Sequence, residues 1–216
     1  MSIQLDICNS AMIKLGVDLI ADIEDNTKQA RLCRQQYATL LGCVLEDAPW
    51  SFAMKRIVLN QNTDEPVFGD YRSFTLPDDL ARIVSVQNDY RARSIYYKRE
   101  GKNIITNDPS STSDPVDPSN KVYKIYLKFV SKAMPDTLYS ERFKEAVATK
   151  IAADLAYPMV QSAQLKGQLL QQYQVYVQDT RTSDSQQQSA DSLRAEYFDN
   201  ARRGSRYEVH LNSDNL

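Results

Sequence analysis

With 216 residues, 42% hydrophobic and 25% charged, the chain has apolar material for one domain with appendages or two small ones. A formal net charge of −2 argues against a dedicated nucleic-acid binder, which would carry a basic excess, and no apolar run approaches the length of a membrane span. Met1-Ser2-Ile3-Gln4-Leu5-Asp6 lacks the basic and apolar stretches of a signal peptide, so synthesis and assembly in the cytoplasm are the expectation.

Ile3, Ile7, Ala11 and Leu15, with Cys8 and Met12 beside them, mark one face of a first helix over 3–15. Gly16 follows where a helix end favours a residue tolerant of positive φ. Asp25, Asn26 or Thr27 can cap a second helix over 27–47, with a buried stripe of Ala30, Cys33, Tyr37, Leu40, Leu41 and Val44. Lys28, Arg31, Arg34 and Gln35 form its outer face. Cys8, Cys33 and Cys43 include no CxxC pair and read as buried small hydrophobes. Zinc would need a fourth ligand, and the single histidine, His210, is remote, so neither metal nor cofactor is expected.

Pro49 stops the second helix by pushing its predecessor out of the α region. Trp50 and Phe52 then place large apolar area where helix turns into strand, making Pro49, Trp50 and Phe52 a structural joint. Extended segments follow at 56–59, 71–76 and 83–86, and Gly101 supplies the turn of a hairpin over 96–106. Residues 107–120, rich in Pro, Ser and Asp, read as a mobile excursion. From Val122 to Val130, Tyr123, Ile125, Leu127 and Phe129 alternate with Lys124, Tyr126 and Lys128, the clearest strand signal in the chain.

Phe143, Val147, Ile151 and Leu155 predict a helix over 140–157 ending near Pro158. Leu165, Leu169, Tyr173 and Val177 predict another over 162–181 with a glutamine-rich outer surface. From Ser183 the chain has little to bury. The expected class is α+β: an antiparallel helical bundle with a small antiparallel sheet inserted over 54–130. Residues 1–182 form the core, and 183–216 a flexible spacer and C-terminal arm.

No P-loop, GxGxxG, GxSxG or HExxH motif occurs. One remote histidine argues against a Ser-His-Asp or Cys-His site. Paired carboxylates could hydrolyse a glycoside, with Asp78-Asp79, Glu46-Asp47 and Glu141/Glu145 as candidates. However, Asp78 and Asp79 after Pro77 fit a helix-start cap, and Glu141 and Glu145 a first helical turn. Tyr90, Arg91, Arg93, Tyr96, Tyr97, Lys98 and Arg99 could stack on single-stranded nucleic acid, yet suit a protein interface better in an acidic chain.

The segments Asn9-Ser10-Ala11-Met12-Ile13-Lys14-Leu15-Gly16 and Asp25 through Cys33 open a longer pattern. Pro49-Trp50-Ser51-Phe52-Ala53, Phe74-Thr75-Leu76-Pro77-Asp78-Asp79-Leu80 and Glu100 through Thr106 continue it. Phe143-Lys144-Glu145-Ala146, Ala152-Ala153-Asp154-Leu155-Ala156 and the tyrosine-bearing last helix complete it. In order and spacing, over residues 3 to 182, the chain resembles the head-to-tail adaptor (tail tubular protein A) family of short-tailed bacteriophages. The resemblance implies a structural virion subunit of the tail or neck, with no enzymatic activity. Twelve copies would form a ring docked on the portal protein, extending the DNA channel and carrying the tail nozzle protein. DNA would pass through the lumen without specific binding, and no membrane is involved. A tail nozzle or stopper subunit further from the head is the alternative, followed by a virion-associated peptidoglycan hydrolase. Within the tail, Tyr197, Phe198, Arg202, Arg203, Arg206 and Tyr207 have the composition of an anchor that orders on the portal or on a neighbouring copy.

Overall fold

The structure, a computed structural model, describes residues 2–64, 66–67, 69, 72–88, 94–113 and 121–187. The described residues are mixed α+β, with four α-helices and two small antiparallel sheets among them.

Helix α1 (Ile3–Leu15) starts at Ser2, whose hydroxyl accepts from the Leu5 N–H, and ends at Gly16 with φ 70°. Ile7, Cys8, Ala11, Met12 and Leu15 form its buried face. The chain then doubles back, held by Asn9: its Oδ1 accepts from the Ile20 N–H at 2.8 Å and its Nδ2 donates to the Ile20 carbonyl at 3.0 Å. Of the three possible caps for α2 (Lys28–Asp47), Thr27 fills the position, its side chain accepting from the Ala30 N–H.

After the sheets come α3 (Glu141–Val160) and α4 (Ala163–Gln187). Ala146, Ala148, Ala152, Ala153 and Ala156 are buried on several sides of α3, and their small side chains let neighbours approach closely. Helix α3 accordingly touches α1, α2 and α4. Glu145 meets Ser10 and Lys14 near the end of α1, Phe143 meets Trp50 just past α2, and Lys28 at the start of α2 donates to the Pro158 carbonyl at 2.6 Å. Helix α2 therefore runs opposite to α3.

The first sheet has order β1 (Met54–Asn60), β7 (Lys121–Ser131), β3 (Leu80–Gln87), with β6 (Ser110–Ser113) also paired to β7. The second has order β2 (Arg72–Thr75), β5 (Asn103–Thr106), β4 (Lys98–Glu100). Alternation decides what packs where: Ile57, Leu59, Ile125, Leu127 and Phe129 from one face of the first sheet join Phe74, Leu76 and Ile104 in one core. On the opposite face Met54 and Val130, paired across β1 and β7, join the helical core instead.

Several expectations need correction. The β insertion forms two sheets instead of one, and it ends at Ser131. The excursion at 107–120 contains β6, because β7 continues beyond Tyr126, where β3 stops pairing, and leaves an edge that Ser110–Ser113 fills. Helix α3 runs through Pro158 to Val160. Proline so near a helix end removes a single i→i−4 bond, to the carbonyl of the exposed residue Asp154. Helix α4 reaches Gln187 instead of stopping at 181, so the spacer expected from 183 is helical at its start. The stretch 183–187 holds no Gly or Pro, and its glutamines favour helix. Pro77-Asp78-Asp79 starts no helix: it turns the chain into β3, with the Leu80 N–H on the Pro77 carbonyl at 3.2 Å. Cys8 and Cys33 are buried, whereas Cys43 is exposed, one position off the buried Val44 and Leu45 on α2. Tyr37 and Leu41 are half-buried.

Candidate functional site at the helix–sheet junction

At the end of α2 the chain passes through an extended Ala48 (φ −142°, ψ 157°) and Pro49 to Trp50, which is buried. The indole N–H donates to the Val44 carbonyl at 2.7 Å, satisfying both the ring's only donor and an acceptor near the helix end. Phe143 meets the Trp50 ring edge-on at 4.8 Å between centroids, and Phe52 and Tyr139 stack around Phe143 at 4.9 Å and 4.8 Å. Aromatic pairs in this geometry contribute about 0.5–1.5 kcal/mol each beyond area burial. The Pro49-Trp50-Phe52 segment is thus held by α3 as well as by α2.

A polar network lies beside this cluster. Asp79 accepts from Lys55 Nζ at 2.7 Å and from the Ser131 hydroxyl at 2.6 Å, tying β1, β7 and the turn before β3 together. The Lys55 hydrogen bond, followed by that of Ser131, holds the Asp79 carboxyl below its ordinary value. Arg82 donates to the carbonyls of Glu46 and Asp47 at 3.2 Å and 3.0 Å, capping the negative end of α2 from β3. Lys132 pairs with Glu46 at 2.9 Å, and the Tyr173 hydroxyl donates to Asp47 at 2.6 Å from α4. Side chains from α3, α4, β3 and the segment just past β7 therefore converge on the end of α2.

The candidate carboxylates are all engaged. Asp78 pairs with Lys102 and Glu141 with Lys144, both at the surface. Glu145 pairs with Lys14 at 2.8 Å and accepts from Ser10, and these contacts, the lysine's foremost, lower its pKa. A general acid requires a raised pKa, and the two carboxyls with a resolved shift move the other way. Among the described residues no group of three or more His, Cys, Asp and Glu is placed to hold a metal, and no helix is long and apolar enough to cross a membrane. The neighbouring Cys33 thiol, followed by burial, raises the Cys8 thiol, while Cys8 lowers that of Cys33.

The anchor residues Tyr197, Phe198, Arg202, Arg203, Arg206 and Tyr207, with His210, lie outside the described residues, as do Tyr90, Arg91 and Arg93. Tyr96, Lys98 and Arg99 are exposed, while Tyr97 packs against the sheet core. Sequence reasoning missed Lys55, Arg82, Ser131 and Tyr173, since their partners are distant in the chain. One signal was available: a tyrosine in an apolar helical stripe, as at 173, needs a partner for its hydroxyl.

No protein-family model matches this chain, and none of the curated proteins does.

Proposed function

We propose that the protein is a structural virion subunit, a head-to-tail adaptor whose copies form a ring on the portal vertex and carry the tail nozzle. In this reading the four helices are the antiparallel bundle of the ring body, and 188–216 is the arm that docks on the portal or a neighbouring copy. The family resemblance over residues 3–182 motivates the reading.

The observation that carries it is the presence of two unlike exposed helical faces. Along α2, Lys28, Arg31, Arg34 and Gln35 are exposed. Along α4, Gln164, Gln168, Gln171, Gln174 and Gln178 are exposed, and the stretch 167–178 carries no charge. A closed ring needs a heterologous interface, in which two different surfaces of each subunit complement one another. Glutamine amides supply both donors and acceptors for such a contact without the desolvation cost of a charge. Repeating a net charge of −2 around the ring would disfavour tight binding of DNA phosphates in the bore. The engaged carboxylates support a role without catalysis.

Purified protein added to portal-bearing heads tests the reading. The full chain should load without other tail proteins, and a chain lacking residues 189–216 should fold but fail to load. Normal loading by the truncated chain refutes the anchoring arm. Failure of the full chain until a nozzle protein is added refutes the adaptor position.

A further inference from the structure

One face of the β1–β7–β3 sheet carries a feature that a structural block does not require. Arg56 on β1 stands directly opposite Lys128 on β7, and Ser85 of β3 flanks Lys128 on its other side. Like charges directly opposite in an antiparallel pair are destabilising. Neither cation has an ion-pair partner among the described residues. The next row on the same face is Val58, Tyr126 and Gln87, with Val58 50% exposed. Beyond it Asn60 faces Lys124, whose Nζ lies 6.0 Å from the centre of the Tyr126 ring. The helical core covers the row at the other end, Met54 and Val130, and leaves these three rows outside it. No acid occupies any of these positions, although the chain as a whole is acidic.

We propose that this face binds single-stranded nucleic acid, with phosphates on Arg56 and Lys128 and a base against Tyr126. Three strands spaced by about 4.8 Å make a platform roughly 10 Å wide, the scale of a few nucleotides. A central aromatic ring, flanking cations and neutral side chains able to pair with base edges form the combination that serves unstacked bases. A duplex keeps its bases stacked and would use the cations alone. An acidic protein segment would likewise use the cations and leave Tyr126 without a specific role. The inference goes beyond the ring reading and does not depend on it. Contacts to two phosphates are weak at physiological salt and compatible with DNA passage.

The test is fluorescence anisotropy of the full chain with a fluorescein-labelled ten-residue oligothymidylate in about 50 mM salt. The expected result is saturable binding, with log K falling against log salt at a slope of about −1.4, for two phosphates. Arg56→Gln with Lys128→Gln should weaken binding at least about tenfold, and Tyr126→Leu at least about fivefold. Arg56→Gln alone should leave Tm unchanged or raised, because it relieves the cross-strand repulsion; this separates lost contacts from lost folding. Absence of binding by the wild-type chain overturns the proposal, as does equal binding by the folded variants. Competition by polyglutamate as effective as by unlabelled oligothymidylate also overturns it, and assigns the face to an acidic protein.

Discussion

The helical region buries its apolar side chains through contacts that reach all of its elements, with α3 in the middle and Trp50, Phe143 and Tyr139 locking one end. The sheet region has its own smaller core, and its strands alternate between that core and half-exposed polar or cationic residues. The two meet where Met54, Ala81, Val84 and Val130, all on strands, enter the helical core. The contrast teaches a division of labour: α3 and the aromatic corner set the position of the sheet, and the sheet displays surface chemistry.

The largest expected effect breaks the corner that the two regions share. Trp50→Ala removes the ring packed on Phe143 and leaves the Val44 carbonyl without its donor, and should cost about 3–5 kcal/mol in urea unfolding. A loss below about 1 kcal/mol would show that the joint carries little of the stability. Ile104→Ala, in the sheet core, should cost about 2–5 kcal/mol. Its hydrogen-exchange signature sharpens the comparison: amides of β2, β4 and β5 should lose protection before those of α3. Equal loss in both would make the two regions one cooperative unit.

Asp79→Asn tests the polar seam and should cost about 1–2 kcal/mol, because the ion pair with Lys55 is partly screened by solvent. The pH dependence has a definite sign. Asp79 and Glu145 have folded values lowered from 3.8 and 4.5, so their stabilisation is fully present above those values and is lost as the pH falls through the lowered ones. Acid unfolding should therefore be less steep in Asp79→Asn, as denaturation midpoints from pH 6 down to about 2 would show. The smallest effect is a gain. Gln161 ends α3 in the left-handed region at φ 53°, and Gln161→Gly should relieve about 1 kcal/mol of strain, read as a higher Tm.

The elements that could be read from sequence were those where period and punctuation agreed. Ile7, Ala11 and Leu15 before Gly16 mark α1, Gly101 marks a hairpin, and alternation from Val122 to Val130 marks β7. Where local preference competed with tertiary demand, the reading slipped. Pro158 looked like a stop but sits where one lost hydrogen bond is tolerable, and polar residues 183–187 looked unstructured but extend α4. The segment Ser110–Ser113 has no apolar pattern, and only the open edge of β7 makes it a strand. The junction was half legible. Trp50 stood out by size and position, but Asp79 with Ser131, and Asp47 with Tyr173, are pairs that no local period encodes. The cationic face was visible as alternating lysines on β7, yet Arg56 joins Lys128 only through strand register.

Imaging purified protein mixed with isolated portal rings tests the central claim most directly. The account predicts a stacked collar of copies on one end of the portal, continuous with its channel. Portal rings that stay bare, together with loss of peptidoglycan turbidity on adding the same protein, would contradict it.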